Sequence, residues 1–106
     1  MRVLALYDIH GNIDALEAVL ADPAAGEPDA VLVGGDAVPG PFAAAVLDRL
    51  AAIRVPLHLL RGNGEREVAA AVGAPPPDDG DLAAVTAAVT AAALGDERAA
   101  ALGALR

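Results

Sequence analysis

Asp8 and His10 stand two residues apart at the end of the first apolar run of the chain. Two further polar points follow: Asp36 in Gly34-Gly35-Asp36, and Asn63 in Arg61-Gly62-Asn63-Gly64-Glu65. Two carboxylates, an imidazole and an amide oxygen make a mixed oxygen–nitrogen donor set. Such a set suits Mn, Fe, Ni or Zn better than Ca²⁺. A carboxylate such as Asp36 can bridge two ions, and two ions roughly 3.5–4 Å apart clamp a phosphoryl group and generate hydroxide for in-line attack. Gly11, Gly35 and Gly62 would let the backbone pass close to metal and phosphate without a Cβ in the way. Asn12 can offer its amide, or the start of a helix, to a phosphate.

These residues act together only if the elements around them bring them to one place. Arg2–Tyr7 is apolar without alternation, which fits a parallel strand covered on both faces. Asn12 is a plausible N-cap, and Ile13, Leu16, Val19 and Leu20 then fall on one helical face. Asp22-Pro23 and Gly26-Glu27-Pro28 end that helix. Ala30–Val33 reads as the second strand and Gly34–Pro41 as a loop. Pro41 opens a helix whose face is Phe42, Val46, Leu50 and Ile53. Val55–Leu60 is the third strand. This is strand–helix–strand–helix–strand, with Asp8, Asp36 and Asn63 spaced 28 and 27 residues apart. The expected fold is α/β, a three-stranded parallel sheet with flanking helices and right-handed crossovers. All three polar points then lie beyond the carboxyl ends of the strands, where open α/β sheets bind ligands. Residues 1–67 form this core of a single domain over 1–106. Residues 68–106 form a helical extension, with a Pro-rich loop at 73–80. Leu82, Val85 and Val89 mark one of its helices, and Asp96 is a cap for the last.

Composition narrows the partners. The 106 residues include 28 alanines but one Phe, one Tyr and no Trp, so the core relies on Leu, Val and Ile. Net charge is −8 and all seven basic residues are Arg, with no basic patch to track a phosphate backbone. Long nucleic acid is therefore not the expected partner. An acidic chain that handles phosphate needs a cation as intermediary. The absence of Cys removes thiol catalysis and zinc–thiolate sites and is compatible with a cytoplasmic address. Neither a signal peptide nor a membrane span is legible.

Taken singly, each residue has a plainer reading. Asp8 can cap a helix, Asp36 can be a loop carboxylate, and Asn63 between two glycines can be a left-handed turn residue. His58 reads as a locally packed strand residue, and Arg61 pairs with a carboxylate as readily as with phosphate. Glu65 and Glu67 read as a solvated helix face, and Asp78, Asp79 and Asp81 as solvated loop acids.

In combination, Asp8-x-His10-Gly11-Asn12, Gly35-Asp36 and Gly62-Asn63 resemble the calcineurin-like metallophosphoesterase superfamily. The likeness is greatest to its small bacterial phosphodiesterase-like branch, in which the helix after the second motif also begins with a Gly-Pro pair. The resemblance implies metal-dependent hydrolysis of a phosphomonoester or phosphodiester, with a small phosphate ester or nucleotide as substrate. It implies Asp8 and His10 on a first ion, Asp36 bridging, and Asn63 on a second, with Asn12 and Arg61 as candidate substrate contacts. Many members carry His directly after the Asn, where it touches the substrate phosphate; here Gly64 stands there. The superfamily fold is a two-sheet sandwich whose later half adds metal-binding histidines, including a Gly-His-x-His loop. The only histidines here are His10 and His58. The expectation is therefore the first half of that sandwich, with weak metal binding and little hydrolysis by this chain alone. The alternative is a non-catalytic remnant or interaction module that self-associates through an uncovered sheet edge. A plain nucleotide-binding domain is disfavoured, because the first loop has neither G-x-G-x-x-G nor a P-loop. A dehalogenase-like phosphatase is disfavoured because its nucleophile motif pairs Asp with Asp.

Overall fold

The computed structural model describes residues 1–106. Three strands, β1 (Val3–Leu6), β2 (Ala30–Val33) and β3 (Leu57–Leu59), alternate with α1 (Ile13–Ala21) and α2 (Ala43–Ala51). Three helices follow, α3 (Asn63–Ala71), α4 (Leu82–Leu94) and α5 (Asp96–Leu102). The strands pair in parallel in the order β1-β2-β3, with Ala5, Leu32 and His58 in register across the sheet. Asn12 caps α1 as its position suggested, its Oδ1 accepting from the Ala15 N–H at 3.0 Å. Asp96 is not a cap: it is the first residue of α5, and Gly95 precedes it as the N-cap.

The expectation of strands covered on both faces fails, for a topological reason. A sheet in sequential order grows in one direction. Two right-handed crossovers in the same direction put both helices on the same face. Leu6, Val31 and Val33 pack there with Leu16, Val46 and Leu50 in one cluster. The opposite face carries Val3, Ala5, Tyr7, His58 and Leu60, all exposed. His58 is thus a strand residue, as expected, but on the open face.

A second cluster joins the helices beyond the sheet: Val38, Ala43, Leu47, Val68, Ala87, Ala91, Ala99 and Leu102. Alanine makes up much of it, and in α4 the larger apolar residues that mark the helix are not the ones on its inner face. Leu82 is 77% and Val89 is 64% exposed, whereas Ala87, Thr90 and Ala91 are buried. Where helices approach closely, small side chains go to the contact. In an alanine-rich helix, then, side-chain size does not mark the inner face. Phe42, expected on the inner face of α2, is likewise 55% exposed; it is the residue before the helix, outside its periodicity.

Candidate metal centre

Beyond the sheet ladder the first two loops run side by side. His10 N donates to Asp36 O at 2.9 Å and Gly11 N to Ala37 O at 2.8 Å. This stitching brings Asp8, His10 and Asp36 together, with one ligand atom from each within 4.8 Å of the others. The same three residues have positive φ: Asp8 +55°, His10 +48° and Asp36 +57°, and no other non-glycine residue does. Left-handed backbone costs a residue with a Cβ roughly 1–2 kcal/mol. Such strain concentrates at functional sites. The chain bears it three times, at the three residues whose donor atoms converge.

Two of the donors, His10 and Asp36, are oriented by a neighbour. His10 Nδ1 lies 3.3 Å from the Pro39 carbonyl oxygen. A carbonyl can only accept, so Nδ1 carries the hydrogen and the Nε2 lone pair is left for a cation. One Asp36 oxygen, Oδ1, accepts from the Gly64 N–H at 2.7 Å, leaving Oδ2. Asn63, the first residue of α3, shares a cleft of about 340 Å³ with His10 and Asp36. Gly64, Glu67, Leu82 and Thr86 also line that cleft, and no Arg does. Carboxylates this close repel each other and repel phosphate. A divalent cation removes both problems, and the oxygen–nitrogen donor set fits one.

Sequence reasoning missed the residue that holds the site together. Glu65, taken for part of a solvated helix face, is 0% exposed. Its Oε1 accepts from Asp36 N and Gly62 N, both at 2.7 Å, and its Oε2 accepts from Val38 N at 3.1 Å. It therefore ties the second and third loops together at the backbone of a candidate ligand. Gly62 permits this closeness: an added Cβ would stand 2.5 Å from Asp36 Oδ1 and 2.7 Å from Asp36 N. The available signal was Glu three residues after Gly62, a capping-box spacing.

The two candidate substrate contacts are engaged elsewhere. Asn12 Oδ1 caps α1. Arg61 Nη1 donates to the Gly103 carbonyl at 2.8 Å, so the structure brings Arg61 to the end of α5 and not to the cleft wall.

A parallel α/β sheet that gathers Asp-x-His, Gly-Asp and Gly-Asn beyond its carboxyl edge is the scaffold of a metal-dependent phosphoesterase. The chain belongs to the calcineurin-like phosphoesterase family, which matches residues 1–90. It is similar to a solved metallophosphoesterase from Sphaerobacter thermophilus, with 29% identity and a TM-score of 0.71. All of this chain is covered in that comparison, and it spans 42% of the length of the solved one. No curated protein matches the sequence. No helix is long and apolar enough to cross a membrane.

Proposed function

We propose that Asp8, His10 and Asp36 bind a divalent metal with the Asn63 amide beside them, and that this centre serves phosphate-ester hydrolysis. The coincidence of the three left-handed residues with the three converging donors carries the reading. A bound cation supplies Lewis acidity toward a phosphoryl oxygen and offsets its charge. The chain's own groups orient the donors. The Pro39 carbonyl turns His10 Nε2 outward, and the Gly64 amide fixes one Asp36 oxygen. Four donors leave at least two positions of an octahedral ion such as Mn²⁺ to water. The 106-residue chain therefore binds metal weakly and turns over little ester.

Calorimetric Mn²⁺ titration tests this. One weak saturable site is expected, and Asp36→Ala removes it. Unchanged Mn²⁺ binding in that variant refutes the metal reading. Robust hydrolysis of bis-p-nitrophenyl phosphate by the chain, abolished in Asp36→Ala, refutes the weak-turnover part.

A second reading is supported by the open sheet face, where Val3, Ala5, Tyr7 and Leu60 are exposed. An uncovered apolar face and two free strand edges favour self-association. Sedimentation velocity is expected to give concentration-dependent oligomers that Ala5→Glu disperses. A monomer at every concentration rejects this reading.

A further inference from the structure

We infer that Thr90 is a positioning residue for His10, acting through the Pro39–Gly40 peptide; this role rests on His10 binding metal as proposed. Thr90 lies on the inner face of α4 and is 3% exposed. With Glu65 it makes up the buried polar side chains of the chain. Its Oγ1 accepts from the Gly40 N–H at 3.3 Å, across 50 residues of sequence. Glu65 ties the second loop to the third, and Thr90 ties the same second loop to α4.

The N–H that Thr90 holds and the carbonyl that faces His10 belong to one peptide unit. His10 Nδ1 lies 3.3 Å from the Pro39 oxygen, and Gly40 N is bonded to the carbon that carries this oxygen. The Pro39–Gly40 bond is trans. A trans peptide is planar, and its C=O and N–H point in opposite directions. The plane is thus held at both ends, by a hydroxyl on α4 and by the imidazole. Turning it far enough to break one contact breaks the other. Little else restrains it. The Gly40 N–H has no other acceptor, and glycine leaves its own φ permissive. A stiffer residue cannot stand there, because a Cβ on Gly40 would overlap the His10 carbonyl oxygen. The distant hydroxyl supplies the restraint that the local backbone lacks. Without it the plane turns and the Pro39 carbonyl no longer holds the Nδ1 hydrogen. The imidazole is then free to carry its hydrogen on Nε2, the atom a cation needs.

Thr90→Val keeps the branched shape and a comparable helix propensity but removes the acceptor. Thr90→Ser keeps the hydroxyl and removes the methyl. Imidazole ¹⁵N NMR of the metal-free full chain reports which ring nitrogen bears the hydrogen, with exposed His58 on the open sheet face as internal reference. Mn²⁺ calorimetry follows on the same preparations. In the parent chain and in Thr90→Ser, His10 is expected mainly as the Nδ1–H form. In Thr90→Val it should shift toward Nε2–H, with His58 unchanged and Mn²⁺ affinity lower by about 10–100-fold. A parent-like His10 spectrum or parent-like Mn²⁺ affinity in Thr90→Val overturns the inference. So does a Thr90→Ser variant as impaired as Thr90→Val, since the methyl and not the hydroxyl would then matter. Hydrogen exchange at Gly40 in the parent chain tests the contact even if Thr90→Val fails to fold: protection supports it, and exchange at the rate of a free amide overturns it. A His10 shift in Thr90→Val of a chain that binds no Mn²⁺ supports the hold of Thr90 on His10 and overturns the metal reading instead.

Discussion

Glu65→Ala is expected to leave most of the chain unfolded at room temperature. The substitution removes a fully buried carboxylate and deprives the N–H groups of Asp36, Gly62 and Val38 of their acceptor. A buried donor left unpaired costs about 1–3 kcal/mol, and the substitution leaves three N–H groups without their acceptor. Small domains have only about 5–15 kcal/mol in total. No water-accessible route compensates, since Val38 and Val68 beside it are themselves fully buried.

Glu65→Gln separates the structural from the functional consequence. The amide keeps one oxygen, which can still serve Asp36 N and Gly62 N, but its NH₂ then faces the Val38 N–H, donor against donor. The variant should fold with reduced stability, and its Asp36 loop should loosen. Neighbours that orient metal ligands contribute about 10–100-fold in affinity, so Mn²⁺ binding should weaken by that order. Urea unfolding and Mn²⁺ calorimetry on the same preparation check both. Native stability in Glu65→Ala would mean that these three hydrogen bonds are not formed in solution. Native metal affinity in a destabilised Glu65→Gln would mean that Glu65 acts on the fold alone.

Glu65 also marks the limit of what the sequence discloses. Asp8, His10 and Asp36 were legible because each closes an apolar run or a glycine pair, and the βα alternation converts regular spacing into convergence at one edge. The partners of Glu65 come from residues 36, 38 and 62, so its burial depends on how two loops meet. No periodicity within α3 records that. The same holds for Arg61, whose acceptor is 42 residues away at Gly103. The face of α4 was illegible for a different reason. A pattern of larger apolar residues points inward only when the neighbouring surface has room for them. Here the partners are alanine-lined, and Leu82 and Val89 face solvent. The bare sheet face follows from strand order, which the sequence does not print, together with crossover handedness.

Gly64 offers a test in which two physical arguments predict opposite signs. It is the second residue of α3 and its φ is not in the left-handed region, so helix propensity favours Gly64→Ala by about 1 kcal/mol. The surroundings oppose it. A Cβ on Gly64 would overlap the Val38 carbonyl oxygen and stand 2.8 Å from Pro39 Cδ. Backbone atoms cannot swing aside as a flexible side chain does. Val38 is fully buried, its N–H is held by Glu65, and the Pro39 carbonyl accepts from His10. Any shift of this segment thus reaches two of the groups that shape the metal cleft. Overpacking of a tight site costs about 1–3 kcal/mol, and the upper end applies against backbone. The net expectation is destabilisation by about 2 kcal/mol, a fall in Tm of roughly 8–16 °C, with weaker Mn²⁺ binding. Gly64→His should be worse. The family's common histidine at this position therefore cannot be restored here by a single substitution: the Val38–Pro39 segment occupies the space its Cβ would need. A melting temperature for Gly64→Ala equal to or above that of the parent chain would refute this. Propensity would then have won, and the segment beside His10 would be free to move.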